Sequence, residues 1–204
     1  MSRSLDDISW FPMYCSYRSD LKVKKELDRL HVPYYLPMEY QLVEHDGERR
    51  RELVPAIHNL IFVHSSQREI TKLKMYNKKC TTLQYMVSNS ADDEKSEIIV
   101  VPSRAMENFI RVSSSHDDHV RHLTYSDYLD KQGKRVRIID GNFAGVEGVI
   151  KRIKRDRIVV VLLKGIAAVA ITQLPPSFIE LIDDKEGRGN PLELRSLATE
   201  GTQE

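Results

Sequence analysis

Residues 135–150 read RVRIIDGNFAGVEGVI. Val136 and Ile138 alternate with Arg135 and Arg137, then Gly141, Gly145 and Gly148 punctuate the chain around Phe143, and an apolar run resumes. Glycine supplies the backbone angles that tight turns demand, so the stretch predicts a strand, a glycine turn and a returning strand. It carries neither a G-x-G-x-x-G pattern nor a G-K-[ST] ending, and it leads into a strand rather than a helix, so the glycines read as turn residues and not as a phosphate cradle. Further apolar runs follow at 158–163 (IVVVLL), 166–171 (IAAVAI) and 178–182 (FIELI), separated by Gly, Lys-Arg or Pro-Pro breaks. Four or five short strands in about 50 residues with no helix predict a small closed β-barrel.

Upstream the pattern changes. In residues 10–17, Phe11, Met13, Cys15 and Tyr17 alternate with Pro12, Tyr14 and Ser16, the period of a strand; Pro12 lacks a donor, which puts the start of that strand at an edge or a bulge. Ser19 or Asp20 then caps a helix carrying Val23, Leu27 and Leu30, stopped by Pro33. Residues 36–42 alternate into Asp46-Gly47, a pair suited to a tight hairpin turn, which makes 49–55 the returning strand. Residues 59–63 (NLIFV) are apolar without alternation and predict a strand covered on both faces, or covered on one and left apolar for a partner. Ser66 and Glu69 form a capping box ahead of Ile70, Leu73 and Tyr76; a strand is expected at 83–87, an extended run at 98–101, and a third helix capped by Ser103 with Met106, Phe109 and Ile110 on one face. Hairpins and short connections favour an antiparallel sheet with packed helices, an α+β domain over residues 1–115. A polar linker at 116–130 separates it from a barrel at 131–183, which is expected to fold independently.

Composition bounds the function. The chain has 204 residues, 41% hydrophobic, with 31 basic and 30 acidic side chains. The longest apolar runs fall far short of the roughly 20 residues that span a bilayer, and the first residues, MSRSLDDISW, lack the apolar core of a secretory signal, so a cytoplasmic protein is expected. Two cysteines, Cys15 and Cys80, make no disulfide framework or zinc set. Residues 184–204 are acidic, rich in Gly, Ser and Thr, and expected to be disordered.

No catalytic constellation emerges. His116, His119 and His122 are spaced so that three rings cannot converge from one helix, and they read as solvated linker histidines; Asp92-Asp93-Glu94 and Asp117-Asp118 read as solvated loop charges. No metal, cofactor or enzymatic activity is expected. Lys131, Lys134, Arg135, Arg137, Lys151, Arg152, Lys154, Arg155 and Arg157 face only Asp140, Glu147 and Asp156 in the same stretch. Such a cluster either tracks a phosphate backbone or protects the edges of a small barrel, and the lack of an interleaved aromatic row leaves both readings open.

Together these residues carry a resemblance. Residues 135–150 resemble the KOW motif, which starts an SH3-like barrel, and SWFPMYC (9–15), YYLPM (34–38) and NLIFV (59–63) resemble the NusG N-terminal (NGN) domain. The details are most similar to specialised members of the RfaH type and the UpxY antiterminators of capsular-polysaccharide operons. The resemblance implies a non-enzymatic elongation and antitermination factor that bridges the RNA polymerase cleft and suppresses pausing or termination, with a housekeeping NusG or a KOW-type RNA- or ribosome-binding module as alternatives. It implies polymerase clamp contacts at Tyr14, Ile57, Leu60 and Phe62, gate-loop contacts at Thr71 and Lys72, and contacts to non-template DNA or nascent RNA at Lys22, Lys25 and Arg29. It also places the KOW turn at Gly141, Phe143, Gly145 and Gly148, with Rho or a ribosomal protein as the barrel's partner and a monomeric state. Where the family often has Phe-Pro-Gly-Tyr, this chain has Ile57-His58-Asn59-Leu60, so aliphatic anchors replace aromatic ones.

Overall fold

The computed structural model describes residues 3–88, 96–123, 133–153 and 156–182, with the side chains of 152–157 excepted. The acidic tail, the loop at 89–95, Lys131, Lys154, Arg155 and the side chains of Arg152 and Arg157 therefore lie outside the described residues.

The first module is built on a four-stranded sheet. Its strands are β1 (Ile8–Cys15), β2 (Tyr34–Tyr35), β5 (Leu60–Ser66) and β6 (Leu83–Tyr85), in the order β2-β5-β1-β6. Alternation along β1 and its antiparallel register with β5 sort the side chains by face. Phe11, Met13, Cys15, Ile61 and Val63 point one way and bury against Val23 and Leu27 of α1 (Asp20–Leu30) and Ile70 of α2 (Gln67–Tyr76). Trp10, Pro12, Tyr14, Leu60 and Phe62 share the other face, with Tyr35 paired opposite Phe62. Here lies α3 (Ser103–Ser113), whose Phe109 ring meets Phe62 at 5.8 Å and Tyr35 at 6.3 Å between centroids.

Local chemistry explains the element ends. Ser66 Oγ accepts from Glu69 N at 3.2 Å, the predicted cap of α2. Strands β3 (Met38–His45) and β4 (Glu48–Pro55) form a separate two-stranded ribbon turning at Asp46 and Gly47, whose φ angles of 52° and 83° are those the Asp-Gly pair was expected to adopt. Strands β7 (Val87–Ser88) and β8 (Glu97–Ile98) pair with each other.

Several expectations change. Pro12 sits inside β1, in the middle of the sheet: Cys15 N bonds toward β5 while Pro12 O and Trp10 O accept from Met86 N and Val101 N on the other side. The donor that proline lacks thus faces the gap between β6 and the Trp10–Val101 bridge, where no ladder bond is needed. Tyr17, expected to continue the strand in step with Phe11, Met13 and Cys15, is 94% exposed, because β1 ends at Cys15 and the next residues turn with φ of 59° at Tyr17 and 50° at Arg18. Tyr76 is also exposed. Ser103 is the first residue of α3 and its side chain caps nothing; Pro102 holds the cap position.

The second module contributes β10 (Lys134–Ile138), β11 (Glu147–Ile153), β12 (Asp156–Leu163), β13 (Ala167–Ile171) and β14 (Ile179–Leu181) to an antiparallel sheet. A sixth strand, β9 (Val120–Leu123), adds at the outer edge of β13, giving the order β14-β10-β11-β12-β13-β9. The stretch 116–130, expected to be a polar linker, thus contains sheet. The backbone pairs although the side chains lack a core pattern, because β13 offers an unpaired edge. Val136, Ile138, Val159, Val161, Val169 and Ile171 lie on one face of this sheet and join Met106, Phe109, Val112, Leu60 and Phe62 in one apolar cluster. Helix α3 is therefore the common filling of two sheets.

Candidate functional site: the apolar face of the first sheet and its cover

The strand at residues 59–63 was expected to need cover on both faces, and both covers come from this chain. Ile61 and Val63 face α1 and α2, whereas Leu60 and Phe62 face α3. Leu60 is 5% exposed and Phe62 0%, so neither forms an open docking surface in this arrangement. Tyr14, on the same face opposite Leu60, remains 46% exposed, and Ile57 packs half-buried against the edge of the cluster. The four residues thus gather around one face, with Tyr14 and Ile57 at its accessible end and Leu60 and Phe62 beneath α3.

The preceding turn is held in place by polar atoms. Asn59 adopts φ 62°; its O accepts from Cys15 N at 2.8 Å, its Oδ1 from Arg18 N at 3.1 Å, and its N donates to the buried Asp20 carboxylate at 3.2 Å. This knot ties the start of β5 to the start of α1. Alternation alone could not announce it, although Asn is among the few residues that tolerate the left-handed region.

Other expected contact residues lie elsewhere. Lys22, Lys25 and Arg29 fall on α1; Lys22 and Lys25 are exposed, while Arg29 donates through Nε and Nη2 to Glu26 at 3.1 and 2.7 Å. Glu26 is almost fully buried and also accepts from Asn77 and Lys79, and these donors hold its carboxyl down at about 2. Thr71 and Lys72 lie on the exposed side of α2, where Thr71 Oγ1 donates to Gln67 O at 2.8 Å and Lys72 pairs with Glu69 at 2.8 Å.

The glycine turn faces α3. Gly141 and Gly145 take φ of 80° and 89°, Phe143 is buried, and Gly145 N donates to Ile138 O at 2.6 Å. Arg111 of α3 donates to Ala144 O at 2.7 Å and Asn142 O at 3.1 Å, and Arg104 reaches Glu147 at 2.5 Å. Glu147 also accepts from Arg137 at 2.9 Å and lies 3.9 Å from Arg135, so part of the expected cation patch is neutralised locally. Lys151, also counted in that patch, is buried.

Sequence reasoning missed one arrangement. His122 is not a solvated linker residue: its side chain is 8% exposed, Nε2 lies 2.8 Å from Ser113 Oγ and Nδ1 3.2 Å from Glu39 Oε2. Burial pushes the imidazole below its ordinary pKa, against the opposing pull of Glu39. The order serine, histidine, carboxylate matches a hydrolytic triad. Ser113 is 2% exposed at the end of α3, however, so no substrate reaches its hydroxyl and the arrangement acts as a structural tie. Among the described residues no group of histidine, cysteine or carboxylate side chains is placed to hold a metal, and no helix is long and apolar enough to cross a membrane.

Comparison with known proteins gives the arrangement its lineage. The family model described as transcription termination factor nusG matches residues 8–110, just over half of the chain, and the KOW motif model matches residues 132–164. No curated protein sequence matches the chain. A solved structure described as "Domain interaction in Thermotoga maritima NusG" aligns with 17% identity and a TM-score of 0.41, covering 88% of this chain and 100% of that one. The family match spans the first sheet and nearly all of the helix that covers it, and a KOW motif follows in order, so the chain belongs to the NusG family of transcription elongation and antitermination factors, non-enzymatic proteins that bind RNA polymerase.

Proposed function

We propose that this protein is a specialised member of the family that suppresses pausing or termination in particular long operons, such as those for capsular polysaccharide. The motifs SWFPMYC, YYLPM and NLIFV support the specialised reading. The observation that carries the polymerase contact is the apolar face shared by Trp10, Tyr14, Leu60 and Phe62, open at Tyr14 and closed over Phe62. In this reading the clamp of polymerase meets Tyr14 and Ile57 first, Leu60 and Phe62 support that surface from beneath, and fuller contact requires the second module to move away. Lys22 and Lys25 face non-template DNA or nascent RNA, Thr71 and Lys72 the gate loop, and the freed second module Rho or a ribosomal protein.

The protein acts by differential binding: it favours the elongating state of polymerase over the paused one, and a hundredfold preference corresponds to about 2.7 kcal/mol. Single-round transcription through a strong pause and a terminator tests this. Read-through should rise and pause lifetime fall on a template carrying the leader of its own operon. Equal effects on unrelated templates would indicate a housekeeping factor instead. Unchanged transcription with polymerase saturated by the protein would defeat the reading.

A further inference from the structure

We propose that strand β9 is a releasable clasp between the two modules, and that His122 is its pin. This short strand belongs to the connection between the modules, yet it touches three elements. On one side it pairs with β13 of the second module, Val120 opposite Ile171 through Leu123 opposite Ala168. The ladder is extended by Thr172, which donates through N and Oγ1 to His119 O at 2.8 and 2.9 Å. Through His122 it reaches Ser113 at the end of α3 and Glu39 on β3, both in the first module.

The hold on β9 is thin. None of its four residues is fully buried, whereas all five of β13 are. Val120 and Leu123 pack half-buried at the rims of two apolar clusters, and the rest of its retention comes from hydrogen bonds, each with a small net contribution of about 0.5–1.5 kcal/mol. Segments with few buried apolar contacts and edge hydrogen bonds are the ones that open locally below the free energy of global unfolding. The β12–β13 ladder does not depend on β9 and stays closed when the strand leaves.

Release has a distinctive signature, because amides along a strand point alternately to its two neighbours. Thr172 N points to β9, so the amides of Ala170 and Ala168 do as well, while those of Ile171 and Val169 point to β12. Three unpaired donors along β13 are then an open strand edge, able to receive another extended chain. Losing the strand also removes one tie between the modules, while the Arg104 and Arg111 contacts and the apolar face of α3 continue to hold them.

Amide exchange and 15N relaxation on the full-length chain test the clasp, comparing the parent protein with His122→Ala and Ser113→Ala. Exchange at Ala168, Ala170 and Thr172 should quicken by about tenfold in His122→Ala, the factor that corresponds to about 1.4 kcal/mol. Val169 and Ile171 should remain unchanged. Ser113→Ala, which removes one partner and leaves the imidazole, should shift the same three amides by a smaller factor. The rotational correlation times of the two modules should stay equal in both variants, because the apolar cluster around α3 still joins them. If that variant does not fold, Ser113→Ala decides by the same selectivity among the five amides. Equal acceleration at all five amides, or no acceleration at Ala168, Ala170 and Thr172, would each overturn the proposal.

Discussion

The rings of Phe62 and Phe109 meet at 5.8 Å between centroids with 54° between their planes, and through this contact the first sheet is joined to α3. Both side chains are completely buried. Removing the Phe109 ring should therefore open a cavity that both modules line. Phe109→Ala is expected to cost about 3–5 kcal/mol, read as a lower urea midpoint of the full-length protein. Phe62→Asp should abolish cooperative folding, because it buries an unpaired carboxylate where a ring stood. Charged variants at Leu60 or Phe62 thus probe the core; Tyr14→Ala is the variant that leaves the fold intact, and it should weaken capture of core polymerase.

Gly148 marks the close crossing of β11 over β12. A Cβ there would lie 2.7 Å from Val160 O and 2.9 Å from Val159 Cγ1, distances that backbone cannot absorb. Gly148→Ala should destabilise the protein by about 1–3 kcal/mol, the scale of overpacking, in thermal unfolding. Gly47→Ala has open space around it and should cost less, through its positive φ alone.

The second module shares its apolar cluster with α3, which qualifies the expectation of independent folding. A fragment of residues 131–183 loses the cover that Met106, Phe109 and Val112 supply. Extending it back to residue 103 should raise its denaturant midpoint and restore dispersed methyl resonances for Val136, Val161 and Val169.

Acid should reach the first module through Glu26. Its folded pKa of about 2, held down by Arg29 and then Asn77 and Lys79, lies below the ordinary value of 4.5. A depressed carboxyl contributes stability that is fully present above the unfolded pKa and is lost as pH falls through the folded one. Between pH 4.5 and 2 the urea midpoint should fall with a slope that Glu26→Gln flattens. An unchanged slope in that variant would remove Glu26 as the cause.

Burial pushes the Cys15 thiol up to about 12 and Cys80 to about 11. The thiolate is the reactive form, so neither should take up iodoacetamide in the folded protein at pH 8. Both should react once denaturant exposes them, a change that mass spectrometry counts directly.

Wherever neighbours along the chain decide the outcome, the sequence by itself determined it. The Ser66 cap, the Asp46-Gly47 hairpin, the alternation of Phe11, Met13 and Cys15, and the turn at Gly141 and Gly145 all follow from backbone sterics and side-chain periodicity within a few residues. So did the apolar character of both faces of β5, and with it the need for a second cover. What supplies that cover was a matter of tertiary structure. Phe109 is separated from Phe62 by 47 residues, and no local pattern states that a helix of the first module covers both its own sheet and a face of the second. Likewise residues 120–123 (VRHL) show no alternation and predict no strand; β9 forms because β13 presents an unsatisfied edge, and His122 finds Ser113 and Glu39 only once α3 and β3 are in place. Hydrogen-bond demand at an edge and cover for an apolar face are properties of the assembled surfaces, and these exist only after the chain has folded.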